Sequence, residues 1–243
     1  METKYRKYYK VKGLEVSERG AVRRIYKDVR TFTGESDPHQ MQFKTDKDGN
    51  RVIFTHDHGY LRVDELVATC FWGTPKGKRN FVIHLDKKKE HCWKNNLKWA
   101  TAYEYGEFYK DDPEVNTPDG YRLVRKGLWV SKEGQVKDEE GNILIISNTL
   151  FDPDMDADRA VFPYVSYKGK HISVVELMEE AYLPLTYSLF SPHILHKDND
   201  YMNCSLDNLV WVDSDDPAYQ EFGEITSKTI KKLNEELLPP HKR

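Results

Sequence analysis

The sequence predicts an α+β protein of two tandem repeats, each with small β-hairpins and a strand–turn–short helix unit, closed by a C-terminal amphipathic helix. Three observations predict it. Residues 13–22 read GLEVSERGAV, and residues 127–136 read GLWVSKEGQV. Residues 81–101 read FVIHLDKKKEHCWKNNLKWAT, against HILHKDNDYMNCSLDNLVWVD at 193–213. Between these, VDELVATCF (63–71) stands opposite VVELMEEAY (174–182). Three blocks in the same order, offset by 111–114 residues, mark a duplication.

Each element follows from local pattern. Val16 and residues 21–26 read as short strands around the turn Glu18-Arg19-Gly20, with Val130 and residues 135–137 as counterparts. Asp48-Gly49-Asn50 and Glu140-Gly141-Asn142 beside apolar stretches are hairpin turn signals. Val63, Leu66, Val67 and Cys70 recur at helical spacing, as do Val174, Leu177, Met178 and Ala181, and both sets read as core. Residues 81–85 and 193–196 read as strands, each passing through a polar turn into a short helix around Asn96 or Asn208. Residues 105–119, rich in Glu, Asp and Pro, read as a linker. Beyond residues 214–217, Tyr219, Phe222, Ile225, Ile230, Leu233 and Leu237 outline the amphipathic helix. The expected domains are therefore 1–107, 108–213 and a tail, 214–243.

The 243 residues carry 37 Lys+Arg against 40 Asp+Glu, a net −3 that excludes a uniformly basic nucleic-acid binder. The average hides an asymmetry. Residues 1–100 hold 22 basic and 13 acidic residues, a net +9, and residues 101–243 hold 15 and 27, a net −12. No stretch approaches the roughly 20 apolar residues of a membrane span, and the polar, basic start is not a secretory signal. Cys70, Cys92 and Cys204 form neither a CxxC pair nor an even framework, which suits a reducing, intracellular setting.

Each third block has the form H-x-D-x4-[HN]-C-x3-N-L, with Trp99 or Trp211 following. This resembles the HNH (His-Me finger, ββα-metal) segment of phage and intron homing endonucleases. His84-Leu85-Asp86 and Asn96-Leu97-Lys98-Trp99 carry the likeness in one repeat. His196-Lys197-Asp198, Asn203 and Asn208-Leu209-Val210-Trp211 carry it in the other. Residues 61–71 resemble that family's short helix, and residues 13–22 and 127–136 its NUMOD-type element. The resemblance covers roughly residues 13–101 and 127–213. It implies that His84 and His196 are general bases against a phosphodiester, and that Asn96 and Asn208 are helix ligands to Mg²⁺ or Mn²⁺. It also implies a cytoplasmic protein of a bacterial or phage-infected cell.

The match fails at one chemical point. The family places a metal ligand immediately before the histidine, and here stand Ile83 and Leu195, which have no donor atom for a hard cation. The family's Gly after the Asp is Lys87 in one repeat and Asn199 in the other, so the turn is expected to depart as well. A zinc site from Cys70, His84, His91 and Cys92 has suitable ligand types, but the second repeat lacks counterparts of Cys70 and His91, which argues against it. The plainer reading is that the histidines and asparagines brace the loop and that the cysteines pack as small apolar residues.

The basic residues nominate a surface. Arg19, Arg23, Arg24, Lys76, Lys78, Arg79, Lys87, Lys88, Lys89 and Lys94 would follow a phosphate backbone if the unit sits on DNA as its relatives do. The second repeat places Asp198, Asp200 and Asp207 at matching positions, with Asp152, Asp154, Asp156 and Asp158 in its middle loop. The expectation is a nucleic-acid-binding protein, DNA foremost, with impaired catalysis. It binds through residues 1–107, and residues 108–243 serve a protein partner. No cofactor is expected unless the nuclease is active. The alternatives are an active metal-dependent endonuclease or nickase, and a protein-interaction module that inhibits a host nucleic-acid enzyme.

Overall fold

The computed structural model describes residues 4–30, 36–147, 163–184 and 192–217. They form an α+β fold in two units, Met1–Phe108 and Tyr109–Arg243. The expected tail helix beyond Pro217, and Asp152 to Asp158, lie outside the described residues.

The first unit opens with an antiparallel sheet, β1 (Tyr5–Lys7), β2 (Leu14–Ser17), β3 (Val22–Arg30) and β4 (Ser36–Gln40), in that spatial order. The turn joining β2 to β3 is encoded by Ser17 and Gly20. The Ser17 hydroxyl accepts from Ala21 N at 2.8 Å, and Gly20 adopts φ 83° while donating to Ser17 O. Leu14, Val16 and Val22 are buried beneath it and meet Ile53, Val63 and Val67 in one core cluster. A second sheet follows, β5 (Lys44–Thr45), β6 (Arg51–Thr55) and β7 (Gly59–Arg62). Its tight turn is held by Asp46, whose carboxylate accepts from Asp48 N and Asn50 N at 3.0 and 2.8 Å. Helix α1 (Val63–Trp72) carries Asp64 and Glu65 in its first turn, where acids suit the helix dipole, and buries Val63, Leu66, Val67 and Ala68.

The third block has the expected strand, polar turn and short helix, the last reduced to one 3-10 turn, and adds a strand that was not expected. β8 (Phe81–His84) runs into a loop that ends in a 3-10 turn, Lys94–Asn96, and the chain then returns as β9 (Leu97–Ala100), antiparallel to β8. β9 is held by register with β8, where Leu97 stands opposite His84 and Ala100 opposite Phe81. An α-helix follows, α2 (Ala102–Phe108). Thr101 and Glu104 start it by a reciprocal capping box, Glu104 N to Thr101 Oγ1 at 3.1 Å and Thr101 N to Glu104 Oε2 at 3.0 Å. The segment expected to be a linker thus begins as helix. Its remainder is ordered by its own bonds, such as Asn116 N to Asp112 O at 2.8 Å, around buried Val115.

The second unit has β10 (Tyr121–Arg125), β11 (Leu128–Ser131) and β12 (Val136–Asp138) in one sheet, then β13 (Ile146–Ser147), β14 (Tyr164–Tyr167) and β15 (Lys170–Ser173) in another. Helix α3 (Val174–Tyr182) is capped by the Ser173 hydroxyl and buries Val174, Leu177, Met178 and Ala181. β16 (Pro192–His196) pairs antiparallel with β17 (Leu209–Asp213), and a hydrogen-bonded turn at 206–208 stands where a short helix around Asn208 was expected.

In both units the turn glycine is pressed against the loop cysteine. A Cβ on Gly20 would lie 2.9 Å from Cys92 O, and one on Gly134 (φ 81°) 2.9 Å from Cys204 O. Gly20→Ala and Gly134→Ala should each cost about 2 kcal/mol, since a left-handed alanine is strained and the backbone contact cannot yield. Urea unfolding measures this, and a change under ~0.5 kcal/mol would refute the contact.

Candidate functional site

The loop between β8 and β9 is closed by its own side chains. The Asn96 amide donates to Asp86 Oδ1 and to His91 O, both at 2.8 Å, and its Oδ1 accepts from Asp86 N at 3.1 Å. Asp86 Oδ1 also accepts from Lys88 N at 3.0 Å, and Asp86 Oδ2 lies 2.5 Å from His91 Nδ1. Asp86 is partly desolvated, but bonds from His91, Asn96 and Lys88 N prevail and hold its pKa well below the usual carboxylate range.

The second unit repeats the scheme atom for atom. The Asn208 amide donates to Asp198 Oδ1 at 2.8 Å and to Asn203 O at 2.7 Å, and accepts from Asp198 N at 3.1 Å. Asn203 takes the place of His91, donating to Asp198 Oδ2 at 2.7 Å. Lys87 and Asn199, at the positions where the turn was expected to depart, both take the left-handed backbone, at φ 61° and 60°. The turn therefore keeps a glycine-like conformation, contrary to the expected departure. Asparagine tolerates it, whereas for lysine it costs about 1 kcal/mol.

The two histidines are deeply buried, each with 2% of its surface exposed. His84 Nε2 lies 3.2 Å from Asp64 Oδ2, and Arg62 binds the same carboxylate through Nε at 3.1 Å and Nη2 at 2.5 Å. Burial opposes ionisation of Asp64, yet the His84 and Arg62 interactions overcome it and hold its pKa down at about 2. Spacing alone missed this buried trio. The signal was a carboxylate at the second position of a helix whose counterpart in the second unit has Val175 there, with Ser173 in place of Arg62. His196 is lowered by burial, against the opposing pull of Asp198 and Asp200.

The donor set does not fit a divalent cation. Ile83 and Leu195 are buried hydrocarbon. Asn96 ends a single 3-10 turn and Asn208 lies in a hydrogen-bonded turn, and both ends of each amide close a loop. Asp86 and Asp198 are committed to the same loops. Among the described residues, no group of three or more His, Cys, Asp or Glu is placed to hold a metal ion. The four residues considered for zinc go to different partners. The Cys70 thiol reaches Lys7 O and the Cys92 thiol Lys89 O, while His84 and His91 lie against Asp64 and Asp86. Burial pushes Cys70 and Cys92 up to about 11 and about 12, and Cys204 to about 12.

The expected nucleic-acid residues divide into two sets. Arg23 is bonded to Glu15 at 2.7 Å and lies 3.8 Å over the Tyr5 ring. Arg24 is bonded to Asp57 at 2.8 Å and Lys94 to Glu18 at 2.7 Å, and Arg79 lies 3.6 Å from Glu104. Lys89 donates to Asp48 O at 2.9 Å. Arg19 is exposed on the β2–β3 turn, Lys76 and Lys78 on the segment after α1, and Lys87 and Lys88 at the tip of the closed loop. The Gly20–Cys92 contact and the bond from Lys94 N to Glu18 O at 2.8 Å bring the Arg19 turn against that loop. Trp93, not singled out from sequence, stands between them with 40% of its surface exposed. No helix among the described residues is long and apolar enough to cross a membrane.

Among known proteins, no family model matches the chain, and no curated protein matches it. A solved structure of DNA binding and cleavage by the HNH homing endonuclease I-HmuI is similar at 28% sequence identity, covering 48% of this chain and 62% of that one, with a TM-score of 0.34. The chain spans less than two thirds of that enzyme's length.

Proposed function

We propose that this chain is a nucleic-acid-binding protein, with DNA as its ligand, built from two duplicated modules on an HNH-type scaffold that no longer cleaves. One observation supports it above the others. The same loop, closed by the same hydrogen bonds, occurs twice around a buried histidine, with apolar Ile83 or Leu195 where a metal ligand would be needed. What differs is the surface. The first loop displays Lys87, Lys88 and Lys89, and the second Asn199, Asp200 and Tyr201. A lysine held at a left-handed position where glycine is easier is a cost consistent with a use for its charge. Residues 1–107 would meet the phosphates, and the acidic residues 108–243 would meet a basic protein surface.

Charge reversal tests the binding surface. Lys87→Glu, Lys88→Glu and Lys89→Glu combined should weaken duplex DNA binding by roughly 10- to 100-fold at ~100 mM salt and lower the salt slope by up to about three. Fluorescence anisotropy across a salt series reads both, and unchanged binding removes this surface. On plasmid DNA with Mg²⁺ or Mn²⁺ the intact protein should leave the substrate uncut. Cleavage that vanishes in both His84→Ala and His196→Ala would establish the active nuclease instead.

A further inference from the structure

A groove of about 480 Å³ runs between the β2–β3 turn and the end of the closed loop, lined by Glu18, Arg19, Trp93, Lys94 and Asn95. A site of this size holds a small-molecule-sized group. Its aromatic wall is built in advance of any ligand. Trp93 packs on His91 with ring centroids 4.4 Å apart and planes 32° apart, and His91 is fixed by Asp86. Trp72 braces the same corner through Nε1–H to Lys94 O at 2.9 Å. The charges are sorted. Glu18 is neutralised by Lys94 at 2.7 Å, which leaves the exposed guanidinium of Arg19 as the cation at the rim. Asn95 offers an exposed amide with both donor and acceptor.

The second unit preserves the frame of this corner and none of its chemistry. Leu206 N bonds Lys132 O at 2.7 Å, as Lys94 N bonds Glu18 O at 2.8 Å. Ser205, Leu206 and Asp207 replace Trp93, Lys94 and Asn95, and Glu133 replaces Arg19.

We propose that this groove binds an unpaired nucleobase of single-stranded DNA, stacked against Trp93, with its phosphate on Arg19 and its edge on Asn95. The proposal rests on the nucleic-acid reading above and deepens it. In a duplex each base has both faces covered by neighbours, so an exposed indole in a groove can stack only on a base that is unpaired or extruded. Stacking tolerates any base, so the site would select strand state and not sequence.

The test uses the full-length protein and a fluorescein-labelled oligothymidine, alone and annealed to its complement, at ~50 mM salt. Trp93→Ala should weaken single-strand binding roughly ten-fold or more. It should leave duplex binding and the salt slope unchanged. Arg19→Glu should weaken single-strand binding also. Trp93→Phe, which keeps an aromatic face, should bind within about three-fold of the parent. It should also lose the quenching of tryptophan emission that unlabelled oligothymidine produces in the parent. That second readout holds if the alanine variant fails to fold. Single-strand binding unchanged in Trp93→Ala, or quenching unchanged in Trp93→Phe, overturns the proposal. A parent protein that binds duplex but not single strand overturns it and leaves the function proposed above standing. Binding to neither overturns both.

Discussion

Replacing Asp64 with alanine should destabilise the first unit by about 3–5 kcal/mol, because it leaves buried His84 facing a cavity and Arg62 with the more exposed Glu65, 3.6 Å away, in place of a buried carboxylate. Asp64 is 1% exposed and holds both partners, so water cannot substitute for it. The second unit has Ser173 and Val175 at the positions matching Arg62 and Asp64, and its His196 is buried all the same. The double variant Arg62→Ser, Asp64→Val should therefore cost much less than Asp64→Ala alone, a coupling of at least ~2 kcal/mol. Urea unfolding measures both, and hydrogen exchange in α1 and β8 locates the loss. Additive effects would show that the trio is not an energetic unit. The same site makes stability depend on acid. The Asp64 pKa is depressed from the ordinary 3.8 to about 2 in the folded state. Its contribution, roughly 2 kcal/mol, is fully present above about pH 4 and is lost as pH falls towards 2. In Asp64→Ala that part of the acid dependence should vanish.

Asn96→Ala should cost about 3–4 kcal/mol. The side chain is buried and supplies three hydrogen bonds to Asp86 and His91, and each group left without a partner carries a desolvation penalty of about 1–3 kcal/mol, partly relieved where water enters. Asn96→Asp should be at least as damaging. It removes both donations and sets a second carboxylate against Asp86. That variant also separates the brace from a metal ligand, since a hard cation prefers carboxylate to amide and would bind Asn96→Asp more tightly. Calorimetric titration with Mg²⁺ and Mn²⁺ should show no such gain. Asn208→Ala should reproduce the loss in the second unit, because its bonds are the same. In the first unit the loosened loop also carries Lys87, Lys88 and Trp93, so nucleic-acid affinity should fall with stability.

Much of the architecture was visible in residue pattern. The helices at 63–72 and 174–182 follow from apolar spacing, and the turns at Glu18-Arg19-Gly20, Asp48-Gly49-Asn50 and Glu140-Gly141-Asn142 from their turn residues. The role of Asn96 was not legible because Asn suits helix ends, strand ends and loop closures alike. Only the partners of its amide distinguish these, and they lie five and ten residues away. The lysine and arginine positions were visible, but not which were already neutralised. Glu15, Asp57 and Glu18 reach Arg23, Arg24 and Lys94 through sheet register and loop packing.

What the sequence by itself determined is the doubled pattern of blocks, the charge contrast between its halves, and the apolar residues preceding both histidines. These are one-dimensional properties, and no fold alters them. The tertiary structure decided the roles. It set His84 against Asp64 across twenty residues of chain, and turned Asp86 and Asn96 inward to close a loop. It brought Arg19 beside Trp93 across more than seventy residues. The physical reason is burial. Whether a histidine acts as base or brace, or a tryptophan as core or platform, depends on which atoms water can reach, and the packing of distant segments decides that.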